Sequence, residues 1–204
     1  MPALITDLRL EKRLIDERRA WGADHHDETW EGVYVMTPLP NNEHQQIVFR
    51  LASVLDAAVG GEGLGDVLPG VNLAGWTDDW ERDYRCPDVV VFVQGTKAQN
   101  CDTHWRGGAD LVVEITSPGD QTREKVAFYA RIGVRELLIV DRRPWTLELY
   151  RQQGGRLEKI GDSTPAAGEL LASTVVPLRF RLVPGEPRPR IEVTHVETGR
   201  QWLV

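Results

Sequence analysis

Three short apolar runs constrain this chain more than any other feature: PDVVVFV at 87–93, LVVEI at 111–115 and ELLIV at 136–140. Runs this dense in valine, isoleucine and leucine read as strands buried on both faces, so helices or a second layer must cover each side of their sheet. Between the second and third runs, 121–132 has helical spacing of apolar residues and is closed by Gly133. Strand, helix, strand at that spacing is a crossover unit, which makes the second and third runs candidates for parallel neighbours. Upstream, apolar residues recur at helical spacing over 42–59, with Asn41 or Asn42 as N-cap and Gly60-Gly61 as the stop. The stretch 29–36 is strand-like and ends at Pro38 and Pro40, and another strand is expected near 67–73. Downstream, Trp145, Leu147 and Leu149 alternate, and Gly154-Gly155 supplies a hairpin turn to a returning strand at 156–160. An amphipathic helix at 6–21, with Thr6 as its cap, lies outside this core, and short β pieces follow to the C-terminus. The reading is α+β or mixed α/β: a central mixed sheet flanked by helices, ending in a β meander. One domain over 1–204 is expected, with its core at 29–151 and a C-terminal β extension at 152–204.

Two of the apolar runs contain a carboxylate. Asp88 opens the first and Glu114 sits inside the second. An ionised carboxylate among buried valines is costly unless a cation, a metal or a solvent-facing strand end compensates it. Two such groups from neighbouring strands offer hard oxygen ligands of the kind Mg²⁺ accepts. For either residue alone, a strand cap or an arginine partner is the commoner explanation. Lys125 changes the balance, because the start of the helix after the second strand aims its ammonium back toward the strand end. Asp120 is the candidate cap of that helix.

The ordered set PDVVVF, VVEITSP, Lys125 and YARIGVRELLIVD resembles a modified PD-(D/E)XK nuclease signature, specifically that of the Uma-type restriction endonucleases. In that family a small hydroxyl residue replaces the strand lysine and a lysine from the next helix takes its role. Thr116 and Lys125 stand at those two positions. The resemblance also takes in VYVMTPLPNNEH and runs over about 30–151. It implies a restriction-endonuclease-like core in which Asp88, Glu114 and the backbone carbonyl of Ile115 bind Mg²⁺, with Mn²⁺ as substitute. The metal would polarise the scissile phosphate and activate water, while Lys125 orients that water or stabilises the charge that builds on phosphorus. Supporting roles fall to His44, which matches a family histidine, to Glu31, to Thr116 and to Asp120. The sequence departs from the family at Glu31-Gly32, where the order is reversed, and at Gln121, where the family has an acid.

The implied activity is metal-dependent endonucleolytic hydrolysis of DNA by a homodimer. A catalytically idle fold that binds nucleic acid or protein is the alternative, and a hydrolase using plain acid and base carboxylates ranks below both. The chain carries 24 basic and 31 acidic residues, a net charge of −7, which excludes holding nucleic acid by overall positive charge. Residues 1–100 carry 9 basic and 17 acidic groups, a net of −8, against 15 and 14, or +1, in residues 101–204. The near-neutral remainder offers Lys125, Arg131, Arg135, Arg142, Arg143 and Arg151 as a phosphate-facing surface, so weak, salt-sensitive DNA binding is expected. The two cysteines, Cys86 and Cys101, make no framework, and a reducing, cytoplasmic setting is expected, with no membrane partner. His25-His26 reads as a solvated loop, and the tryptophans as filling for a core or an interface.

Overall fold

A computed structural model describes residues 7–117, 119 and 121–204. In chain order the elements are α1 (Leu8–Ala20), β1 (Glu28–Trp30), β2 (Val33–Val35), α2 (Asn42–Leu55, prolonged by a π-helical turn over Asp56–Gly60), β3 (Gly65–Pro69), β4 (Leu73–Ala74), β5 (Tyr84–Arg85) and β6 (Val89–Val93). They continue as β7 (Gln99–Asn100), β8 (Trp105–Arg106), β9 (Leu111–Ile115), α3 (Val126–Ile132, entered through a 3-10 turn over Thr122–Lys125), β10 (Glu136–Arg142), β11 (Trp145–Gln153) and β12 (Arg156–Ser163). The chain closes with β13 (Leu171–Ala172), β14 (Leu178–Val183), β15 (Arg190–His195) and β16 (Gln201–Leu203).

The three apolar runs become β6, β9 and β10 at the centre of a six-stranded sheet in the order β12-β11-β10-β9-β6-β3. As the crossover spacing predicts, β9 and β10 are parallel, with Glu114 opposite Ile139. The β6–β9 pair is antiparallel, with Val89 opposite Val113. Each central strand buries alternate residues on opposite faces. Val89, Val91, Val113, Ile115, Leu138 and Val140 pack under α2, while Val90, Phe92, Val112, Leu137 and Ile139 pack under α3. Strand parity thus puts Glu114, two residues after Val112, on the α3 side.

The predicted strand at 29–36 is instead a tight hairpin, β1 and β2, turning at Glu31 (φ 52°) and Gly32 (φ 90°). It belongs to a second sheet, β2-β1-β5-β4-β8-β7, which also takes the end of the strand expected near 67–73. Arg85 clamps this sheet to α3. Its guanidinium lies 4.4 Å from the Trp30 ring and 4.2 Å from the Phe128 ring, and donates to Thr29 O at 2.8 Å. Such cation–π contacts strengthen when the cation is desolvated, as Arg85 is.

The C-terminal meander is more than an extension. Its sheet, β13-β14-β15-β16, turns Leu178, Phe180, Leu182, Ile191 and Val193 into the same hydrophobic core as α2 and the central strands. Alternation hides one face and leaves Arg179 and Arg181 on the other, the pattern of a one-sided antiparallel sheet. At the other end of the chain, α1 forms as expected, but Asp7 is its cap, accepting from the backbone of Arg9 and Leu10. Thr6, the cap expected from sequence, lies outside the described residues. No described helix is long and apolar enough to cross a membrane.

Candidate active site

The two carboxylates meet where β6 and β9 stop pairing. Asp88 directly precedes β6, so its side chain is not confined to one face of the sheet. Its Oδ2 accepts from the Ile115 backbone N–H at 2.7 Å, stitching the end of β9 to the start of β6. Its Oδ1 lies 2.8 Å from His44 Nε2, on the first turn of α2. A carboxylate can only accept, so Nε2 carries the proton and Nδ1 faces the Ser117 hydroxyl at 3.4 Å. Asn41 caps α2 by accepting from the His44 N–H at 2.9 Å, which fixes the backbone that presents the imidazole. The N–H and C=O of a strand residue point to the same side. The Ile115 carbonyl therefore faces the Asp88 side as well.

Glu114 is buried under α3, where Lys125 Nζ donates to its Oε1 at 3.1 Å and the Tyr129 hydroxyl donates to the same oxygen. Lys125 and Tyr129 are four apart on one helical face, which is why both reach one carboxylate. Among the described residues, Glu114 Oε2 receives no hydrogen bond. Burial pushes the Glu114 carboxyl up to about 7, against the pull of Lys125, and the neighbouring carboxylates Asp88 and Glu28 push the same way. Burial alone would lower the Lys125 ammonium, but Glu114 and Glu28 outweigh it and hold Lys125 firmly protonated.

Glu28 is the residue that the sequence reading missed. It leaves β1 to donate nothing and accept three times: from Lys125 Nζ at 2.8 Å and the Cys86 N–H at 2.9 Å on Oε1, and from Trp30 Nε1 at 2.7 Å on Oε2. Its side chain is only 4% exposed. The available signal was β alternation in ETW, which places Glu28 on the face of Trp30. Burial raises the nearby Cys86 thiol to about 12, keeping it protonated beside these carboxylates. Both cysteines are free.

Glu31, expected in support, stands apart: it is exposed at the hairpin turn and paired with Arg131 at 3.5 Å. Its turn conformation points it away from the strand face that Glu28 uses. The Thr116 hydroxyl donates to Asp141 at 3.2 Å, into a neighbouring cleft. Asp120 lies outside the described residues, and the residue at the cap position of the helical turn is Gln121, which makes no capping bond. Of the arginines expected to face phosphate, four are held by carboxylates: Arg131 by Asp83, Arg135 by Asp110, Arg142 by Glu43 and Arg151 by Glu136. Arg142 and Arg143 line the cleft.

Three carboxylates and one ammonium thus converge at one end of the central sheet. Among the described residues, no group of three or more His, Cys, Asp or Glu is drawn together as a ready metal cage. Two carboxylates with a backbone carbonyl are nonetheless a donor set suited to Mg²⁺, which keeps several waters and rarely takes an all-protein cage. The excess of negative charge at the site suits a dication.

Residues 17–182 match the family model of Uma2, described as putative restriction endonucleases. The chain belongs to the Uma2 family. Among solved structures, it is similar to a putative nuclease belonging to DUF820 from Anabaena variabilis, at 18% identity and a TM-score of 0.57, over 72% of this chain and 80% of that one. No curated protein matches the sequence. The Uma2 match covers the Asp88, Glu114 and Lys125 positions, and the structural likeness supports the restriction-endonuclease-like fold.

Proposed function

We propose that this Uma2 protein is a metal-dependent endonuclease that hydrolyses DNA phosphodiester bonds. The observation that carries the reading is the junction at the β6–β9 end. There Asp88 is bonded to the Ile115 N–H, and the adjacent Glu114 carries the ammonium of Lys125. Asp88, Glu114 and the Ile115 carbonyl would hold Mg²⁺, or Mn²⁺ in its place. When bound, the ion supplies Lewis-acid polarisation of a phosphate oxygen and a lowered pKa for water.

The protein's own groups have separable roles. His44 fixes the direction of the Asp88 carboxylate. Glu28 and Tyr129 hold Lys125 and Glu114 in place. Lys125, the one ammonium there, stabilises negative charge building on the phosphate. Glu114, raised to about 7 by burial, must lose its proton before it can ligate. Cutting both strands calls for two such sites, so the active form would be a homodimer.

The test is nicking of supercoiled plasmid with Mg²⁺ or Mn²⁺. Wild type should convert it to open circle, and Asp88→Ala and Glu114→Ala should not. Cleavage that persists in EDTA, or in both variants, overturns the assignment. Wild-type protein that binds DNA but cuts no form of it would favour the idle binding module instead.

A further inference from the structure

Beside the carboxylates lies a cleft of about 210 Å³, lined by Asn41, Thr116, Ser117, Arg123, Asp141, Arg142 and Arg143 among others. It adjoins the site through Ser117, which lines it and whose hydroxyl lies 3.4 Å from Nδ1 of His44, the partner of Asp88. Arg142 forms its floor. This guanidinium is buried and uses four of its five N–H donors: it donates to Thr116 O at 2.9 Å, Ser117 Oγ at 3.2 Å, Asn41 Oδ1 at 3.2 Å and Glu43 Oε2 at 2.9 Å. Glu43 is shared, because Arg188 lies 3.8 Å from its other oxygen. Arg188 also rests over the Trp145 ring at 5.4 Å and donates to the carbonyls of Pro189 and Val204.

Around this pair the charge is one-sided. Arg188 feels Arg190, Arg50 and Arg142 as repelling neighbours, with Glu43 as the attracting one; burial and these arginines together lower its pKa. Arg50, Arg143 and Arg190 make no ion pair with any described residue, unlike Arg131, Arg135 and Arg151 elsewhere. Crowding arginines about one carboxylate is a repulsive arrangement in the free protein. A polyanion at this face relieves it.

We infer that Arg50, Arg143, Arg188 and Arg190 form a track for the backbone of duplex DNA, which Arg142 anchors to the catalytic end of the sheet. The inference rests on the nuclease reading and deepens it by naming where the substrate lies. The guanidinium groups come from α2, the β10–β11 turn, and the start of β15 with the loop before it, a spread of positive charge complementary to a duplex backbone. Contacts of this kind position the backbone without reading sequence. The C-terminal sheet is then part of substrate binding, through Arg188 and Arg190.

Binding is read without metal, by anisotropy of a labelled duplex in EDTA across a salt series. The test protein is the triple variant Arg50→Ala, Arg143→Ala, Arg190→Ala. A control triple variant, Arg9→Ala, Arg19→Ala, Arg156→Ala, removes the same charge from exposed positions on α1 and the β11–β12 hairpin. The track predicts about a tenfold loss of affinity at low salt and a log–log salt slope shallower by about 2 to 3 for the first variant, with the control near wild type. Equal losses in both variants, no loss in the first, or no duplex binding by wild type overturns the track. Tighter binding of single-stranded RNA than of duplex overturns the assignment to duplex DNA. Plasmid left uncut while binding follows the track would sink the nuclease reading and leave the track standing.

Discussion

Lys125 is set between two buried carboxylates, and removing its charge would leave Glu28 and Glu114 facing each other without a cation. Lys125→Met should therefore cost about 3–5 kcal/mol in urea unfolding. Adding Glu28→Gln should restore a large part of the loss, because the double variant removes a buried charge together with its partner. Additive losses in that cycle would mean the pair is not coupled. Asp141 carries a different linkage. Burial would raise its carboxyl, but the Arg143 N–H and the Arg123 guanidinium hold it below its usual 3.8. A depressed carboxyl adds stability above its unfolded pKa and loses it as pH falls through the folded one. Asp141→Asn should cost about 1 kcal/mol at pH 7, discounted for the half-exposed Arg123, and the gap to wild type should narrow as pH falls below about 5 and close only below 3.8. A gap that stays constant over that range would exclude the linkage. That Asp88 and Glu114 come together was readable because acids in valine-rich strands are conspicuous, and Lys125 stood out at the start of the helix that follows. Glu28 was not readable, since DHHDETWEG holds several acids, both Asp27 and Glu28 are buried, and only the fold decides which of them meets Lys125.

Among the elements, the long periodic ones were readable and the two-residue strands were not. The helices α2 and α3 and the strands β6, β9, β10 and β11 follow from apolar spacing that burial enforces. The second sheet is built from pieces such as Leu73–Ala74 and Tyr84–Arg85, too short to show any period, and it is held by Arg85 and the edges of its neighbours. That Glu31 lies at the turn, apart from the carboxylates, was unreadable for the same reason, because a hairpin three residues to a side has no pattern to locate its turn. One close approach fixes how α3 meets the sheet. A Cβ on Gly108 would stand 2.2 Å from the Val134 backbone nitrogen and 2.5 Å from the Gly133 carbonyl carbon. Backbone cannot rotate out of the way as a side chain can. Gly108→Ala should destabilise by about 2 kcal/mol or more, read from the urea midpoint at unchanged m-value. A neutral substitution there would show that the β8–β9 connection is free to shift.

Across the molecule, the C-terminal sheet closes the core that α2 and the central sheet begin. Ending the chain after Ser163 would remove Leu178, Phe180, Leu182, Ile191 and Val193 from the cluster they share with α2 and the central strands. The shortened protein should lose cooperative melting and bind ANS, and a sharp native-like transition would contradict this. The sequence marked this region only as β pieces between prolines, because a one-sided sheet does not announce which partner it covers. The proposed arginine face has its parts on α2, on the β10–β11 turn and at the entrance to β15, all elements of that shared core. Neither the arginines nor the carboxylates can slide toward each other without opening close-packed side chains. Any mismatch between the path of the arginines and a straight duplex must then be taken up by the nucleic acid. Discrimination among DNA sites would follow ease of bending, and nicks mapped along a plasmid should cluster at flexible TA and CA/TG steps.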